Sequence, residues 1–122
     1  MDHLAAGIDT TGDGLCFLMH ALSLPIHLPI QARLHRELVS NHSTLFDQLP
    51  YLDAVVKEGL RCFPPIPMSF PRYVPTGGRS IDGVWIPEGT IVSCQPYTVH
   101  KDEIVFPRAL EFVPERWLET EG

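Results

Sequence analysis

No stretch of this sequence stays apolar long enough to cross a bilayer. The longest such run, residues 15–24, is ten residues and contains His20 and Ser23, whereas a spanning helix needs roughly 20. Basic residues are scarce: nine Lys and Arg stand against 15 Asp and Glu, for a net charge of -6 and a pI near 5.4. With no basic field to gather phosphates, nucleic acid is excluded as a partner. Cysteine is sparse and unpaired in pattern, since Cys16, Cys62 and Cys94 lie far apart with no C-x-x-C among them. Such a set reads as reduced thiols of an intracellular protein, not as a disulfide framework. Asp9 and Asp13 precede the apolar run where a secretory leader would carry positive charge, so no leader is expected.

Proline is absent from residues 1–24 and 51–63 and abundant elsewhere. Twelve prolines in 122 residues is about twice the usual share of roughly 5%, and eight of them fall within residues 64–107. Because proline breaks helices, helices are expected first and extended segments afterwards. The 44% hydrophobic content suffices for a core of modest size in a single domain. No internal repeat is visible.

Within residues 4–24, Leu4, Ile8, Leu15, Leu18, Met19 and Leu22 keep helical spacing, which predicts a helix buried along one face. Gly7, Gly12 and Gly14 each cost a helix about 1 kcal/mol relative to alanine, so a distorted helix is expected. Pro29 suits the first turn of a second helix, with Ile30, Leu34 and Leu38 as its stripe and Arg33 paired to Glu37. Residues 40–48 read as loop. A third helix is predicted from Pro50 to the stop at Pro64 and Pro65. Its buried face would carry Leu52, Val55, Val56, Leu60 and Phe63, leaving Asp53, Lys57, Glu58 and Arg61 on the others.

Residues 70–74, 80–86 and 90–94 are short β-type runs separated by proline-glycine turns, with a tighter turn at Asp82-Gly83 within the second. Residues 96–122 mix prolines, charges and aromatics and predict irregular coil with one helical turn.

Asp9-Thr10-Thr11 sets a carboxylate beside two hydroxyls in a loosened helix, an arrangement that relays protons into a buried site. The same residues are turn formers, so a plain turn stays open. A calcium loop is rejected, because its twelfth position would be His20 and not a bidentate glutamate. Glu58 and Arg61 are neighbours on a helix, and an exposed pair of this kind contributes only about 0.2–0.5 kcal/mol. Arg116 supplies the alternative: docked on Glu58, it would tie the coil to the third helix. The six histidines show no zinc spacing. Pro64-Pro65-Ile66-Pro67 fits a P-x-x-P ligand pattern, which keeps a proline-rich interaction module as an alternative.

Four segments, in order, are similar to the cytochrome P-450 family of haem-thiolate monooxygenases. They are Ala6-Gly7-Ile8-Asp9-Thr10-Thr11, Glu58-Gly59-Leu60-Arg61, the run over residues 64–89, and Phe112-Val113-Pro114-Glu115-Arg116-Trp117. Within the third, Pro71-Arg72-Tyr73-Val74-Pro75 and Ile86-Pro87-Glu88-Gly89-Thr90 look like eukaryotic, especially fungal, members. The resemblance implies a mainly α fold with small β elements. Residues 1–122 would form one partial domain holding the distal oxygen-binding helix, two further helices, short strands and a C-terminal coil.

By that resemblance, Asp9 and Thr10 are the catalytic residues that manage proton delivery to bound dioxygen, and Ala6 and Gly7 leave room beside the haem. Arg72 looks like the arginine that pairs with a haem propionate, so Asp9 and Arg72 are expected to line one common cavity. Ile66, Met68, Ser69 and Phe70 fall where members line the substrate pocket, which suits a lipophilic substrate. Glu58, Arg61 and Arg116 resemble the structural triad behind the haem. The resemblance also implies electrons from an NAD(P)H-cytochrome reductase and, for a full-length relative, the endoplasmic reticulum membrane.

The sequence departs from the family in two places. Pro25 and Pro29 stand where members usually have one proline. More seriously, the family's iron ligand lies in Phe-x-x-Gly-x-Arg-x-Cys-x-Gly, and neither Cys16, Cys62 nor Cys94 has glycines at those offsets. No metal ligand is therefore assigned, and the chain alone is expected to be inactive, since the thiolate is what favours O–O cleavage. The pattern resembles a truncated gene model, a pseudogene product or a splice fragment, with a non-catalytic remnant as a further alternative. Helical stripes with few partners predict a partly molten product.

Overall fold

The computed structural model describes residues 2–118, with side chains over residues 7–118. Three helices lead. Helix α1 (Asp2–Ser23) gives way through a 3₁₀ turn, Pro25–His27, to α2 (Leu28–Ser40), and a second 3₁₀ turn, Phe46–Gln48, leads into α3 (Pro50–Cys62). Four short strands follow, β1 (Phe70–Tyr73), β2 (Arg79–Ile81), β3 (Val84–Ile86) and β4 (Ile91–Cys94). The chain then forms the short helix α4 (Pro96–His100) and a 3₁₀ turn, Pro114–Trp117.

Helix α1 runs unbroken through Gly7, Gly12 and Gly14, where a distorted helix was expected. The reason lies at its far end, where Leu18, Ala21 and Leu22 pack into the core and repay the weak middle. Gly59 of α3 allows that approach, since a Cβ there would stand 2.9 Å from Leu18 Cδ1. The helix stops where Leu24 turns extended ahead of Pro25, and the chain bends by 81° into α2. His27 holds the corner, its Nδ1 donating to the Ala21 carbonyl at 2.7 Å.

The second correction concerns α2. Arg33 does not pair with Glu37; it reaches across to Glu115 at 3.0 Å. Glu37 instead accepts the backbone N–H groups of Tyr51 and Leu52, each at 2.9 Å. The first N–H groups of a helix lack intrahelical partners, and neither Leu49 nor Pro50 offers α3 a side-chain cap, so a carboxylate from a neighbouring helix takes that place.

The core comprises Ala21, Leu22, Tyr51, Val55, Cys62 and Phe112, with Leu18, Ile30, Leu34, Phe63 and Leu118 against it. Helix α3 lies at its centre, touching α1, α2, α4 and the last 3₁₀ turn. Strands β1 and β4 pair antiparallel from Phe70↔Cys94 to Tyr73↔Ile91 and enclose the β2–β3 hairpin. The hairpin turns at Asp82 and Gly83, with φ of 49° and 77°, as the tight turn predicted there requires. Among the described residues no single helix is long and apolar enough to cross a membrane.

Candidate functional site

Helical spacing sets Glu58 and Arg61 on one face of α3, and that face is the buried one. Glu58 is 0% exposed and Arg61 2%, while Val56 and Leu60, placed on the buried face by the sequence pattern, are 40% and 49% exposed. Val55 of the same stripe is buried at 1% exposure, so the face is shifted, not inverted, and the shift follows from what α3 packs against. The 3₁₀ turn Pro114–Trp117 and the coil before it present polar donors and bare carbonyls to this face, and Glu58 accepts from the donors while Arg61 donates to the carbonyls.

Glu58 collects the donors. Arg61 binds it with Nε and Nη2, each at 2.9 Å, and Arg116 Nε arrives at 3.2 Å. The Val113 backbone N–H donates at 2.7 Å and the Trp117 indole at 2.9 Å. Burial alone would push the Glu58 carboxyl up, but the donors from Arg61, Val113 and Trp117 outweigh it and hold the group below the usual carboxylate value.

Arg61 satisfies the carbonyls. Its Nη1 donates to the carbonyls of His100 and Ala109, both at 2.7 Å, and Nη2 to that of Glu111 at 2.8 Å. Desolvation acts to lower the guanidinium pKa, but the Glu58 carboxylate more than offsets it. A coil with little regular structure is thereby fixed by one planar fork. Arg116 adds the carbonyls of Pro107 and Arg108 at 2.9 and 3.2 Å. Glu58, Arg61 and Arg116 are thus brought together, and the solvated-pair alternative does not describe them.

A cleft of about 330 Å³ runs between α1 and α3, lined by Thr10, Thr11, Gly14, Leu15 and Leu18 on one side and by Val56, Gly59, Leu60 and Pro65 on the other. Asp9 is exposed beside it without lining it. Gly7 faces open space, with nothing within 4 Å of where a Cβ would stand. The side chain of Ala6 lies outside the described residues.

Arg72 stands elsewhere. It lines a cleft of about 520 Å³ on the β1–β4 sheet with Phe70, Ile81, Val92, Ser93, Cys94 and Pro96. Its Nη1 donates to the Pro71 carbonyl at 2.9 Å. The single cavity expected for Asp9 and Arg72 is therefore not formed within these residues, because the walls of the first cleft come from α3 and Pro65. Phe70 shares the cleft of Arg72, whereas Ile66, Met68 and Ser69 are exposed and line neither cleft.

Haem is the cofactor implied by the sequence, and the residues present match its periphery in kind, an apolar wall and a cation, but in two separate clefts. The α1–α3 cleft is apolar apart from two threonines, a surface suited to a flat macrocycle, and Arg72 carries an exposed cation with no carboxylate partner among the described residues. They do not carry the family's ligand pattern for the iron, since none of Cys16, Cys62 and Cys94 has both of its flanking glycines. Cys16 and Cys94 are exposed, and Cys62 is buried 3.0 Å from Arg61 Nη2, where burial pushes its thiol pKa up against the lowering effect of Arg61.

Sequence reasoning missed Val113 and Trp117 as donors to Glu58, and it missed the Glu37 cap. A signal existed for two of them: an indole N–H in a packed region needs an acceptor, and a helix that starts at Leu49-Pro50 lacks a capping side chain of its own.

Comparison with known proteins places these residues in context. The Cytochrome P450 family model matches residues 1–122. The cytochrome P450 monooxygenase ORF11 of Penicillium roqueforti is 48% identical over 80 residues, covering 66% of this chain and 17% of that protein. The cytochrome P450 monooxygenase hkm5 of Aspergillus hancockii is 39% identical and covers 95% of this chain and 24% of its own length. A zebra fish cytochrome P450, solved with progesterone, superposes with a TM-score of 0.80 at 28% identity, covering 98% of this chain and 29% of that one. The chain thus spans about a quarter or less of the length of the curated relatives it matches.

Proposed function

The chain belongs to the cytochrome P450 family, and from that membership we propose that it supplies the distal helix and the Glu-Arg core of a haem-dependent monooxygenase. The reaction is that of an oxidoreductase acting on paired donors. Haem, when bound in a whole member of the family, would supply the reductive splitting of dioxygen, one oxygen atom entering a lipophilic substrate and the other leaving as water with two electrons and two protons. The electrons come from NAD(P)H through a cytochrome reductase, and for a full-length relative the setting is the endoplasmic reticulum membrane.

Each residue then has a task. Asp9 and Thr10 hold and pass protons at the carboxylate and hydroxyl, Thr10 at the wall of the apolar cleft and Asp9 beside it. Ala6 and Gly7 keep the helix surface low next to the cofactor, and Arg72 pairs with its propionate. Phe70, with Ile66, Met68 and Ser69, borders the substrate. Glu58, Arg61 and Arg116 touch no reacting atom; they lock the coil that precedes the ligand loop of the family. The observation that carries the reading is this fully satisfied buried network, in a chain matched by the family over all its residues.

On their own the 122 residues lack the family's cysteine ligand pattern, so no turnover is expected. Reconstitution with haem, followed by reduction under carbon monoxide, tests this: a Soret band of the thiolate type from the chain alone would refute the inactive reading. The monooxygenase reading is tested by replacing the matching segment of a full-length fungal relative with these residues. Retention of that band is expected, and a chimera that folds without binding haem would sink the assignment. The interaction-module alternative has less behind it, since Pro65 is engaged in the α1–α3 cleft, 3.5 Å from where a Gly14 Cβ would stand.

A further inference from the structure

Contacts around the Glu58 network converge on one side chain outside it. Tyr51, at the start of α3, is 3% exposed and is gripped at both ends. Its backbone N–H donates to Glu37 of α2 at 2.9 Å, and its hydroxyl donates to Glu115 Oε1 at 3.0 Å. Arg33, four residues before Glu37 on α2, reaches the same Glu115 oxygen at 3.0 Å and lays its guanidinium 4.1 Å from the centre of the Tyr51 ring. Glu115 is followed directly by Arg116 and Trp117, both donors to Glu58.

We propose that Tyr51 is a positioning residue for the Glu58 network: it sets the 3₁₀ turn Pro114–Trp117 against α3 so that Arg116 and Trp117 reach Glu58 together. A phenylalanine would fill the same space but leave Glu115 held by Arg33 alone, a pair in which both side chains are 46% exposed and which solvent therefore weakens. The inference goes beyond the monooxygenase reading and does not depend on it, because every contact lies within these residues.

The two tryptophans provide a reporter and a control. The Trp117 indole donates to Glu58, whereas Trp85 is 64% exposed. In a ¹⁵N-labelled full-length fungal relative carrying these residues in place of its matching segment, indole hydrogen exchange should be slower at Trp117 than at Trp85. Tyr51→Phe should accelerate exchange at Trp117 by about two- to tenfold, the range one hydrogen bond supplies. The Val74 amide, bonded to the Thr90 carbonyl at 2.9 Å, should be unaffected. Glu115→Gln keeps an acceptor and should stay near the parent, Glu115→Ala should match Tyr51→Phe, and the double variant should be no worse than either. The proposal is overturned if Tyr51→Phe leaves Trp117 unchanged, if the two effects multiply, or if Trp117 exchanges as fast as Trp85 in the parent. It is equally overturned if Val74 loses protection together with Trp117 in both single variants, since Tyr51 would then act only on general stability.

Discussion

Glu58 and Arg61 are charged, buried and fully hydrogen-bonded, and their net contribution to stability is a separate matter from the cost of breaking them. Desolvation offsets much of the attraction in a buried ion pair, but removing one partner strands the other. Glu58→Ala should therefore lower stability by about 3–5 kcal/mol, read from the urea midpoint. Two groups give the stability a dependence on pH. The Glu58 carboxyl sits below its ordinary value of 4.5, so its contribution is present above pH 4.5 and is lost as pH falls through the lower folded value. The Tyr51 hydroxyl is pushed from 10.0 up to about 12, by burial first and then by the Glu115 carboxylate, so its contribution is present below pH 10 and disappears as pH rises towards 12. Circular dichroism against pH should show both limbs, with Glu58→Gln flattening the acid one and Tyr51→Phe the alkaline one.

The elements differ in how openly the sequence announced them. The β2–β3 hairpin was legible from Asp82-Gly83, because a turn with two positive φ angles admits few residue types. Its glycines are not equivalent. A Cβ at Gly83 would meet nothing within 4 Å, so Gly83→Ala should cost only the backbone strain, about 1–2 kcal/mol. A Cβ at Gly78 would stand 2.6 Å from Trp85 Cζ2 and 2.9 Å from the Ile86 carbonyl, at a φ of 71°. Gly78→Ala should therefore destabilise the hairpin more than Gly83→Ala, and amide exchange across the Arg79↔Ile86 register should rank them in that order. Helix α3 was legible in extent and only partly in orientation, since Val55 is buried as its stripe requires and Phe63 packs against the core. Its hydrophobic stripe assigned Leu60 and Val56 inward, while the partner surface selected Glu58 and Arg61.

At the scale of the molecule, the helices expose much of their apolar surface. On α1, Ile8 is 61% exposed and Met19 65%, and further along Ile104 is 93% and Leu110 79% exposed. Among the described residues, the stripe that sequence periodicity predicted as buried is buried only at Leu22, with Leu18 half-covered; the side chain of Leu4 lies outside them. With so much apolar surface in water, the isolated chain should bind ANS and unfold broadly on heating. A sharp cooperative transition without dye binding would contradict that expectation.

Local chemistry made much of this protein readable from residues alone. Proline placement separated helices from strands, glycine fixed the hairpin, and the ordered segments around Asp9, Glu58, Arg72 and Arg116 carried the resemblance to the family. Tertiary structure alone decided the pairings: Arg33 with Glu115 and not Glu37, Glu37 on the start of α3, and Arg61 on three carbonyls of the coil. Propensity and periodicity act between residues a few positions apart. A charged side chain's partner is chosen by whichever unsatisfied donors and acceptors the folded chain brings against it, here 14 to 82 positions away.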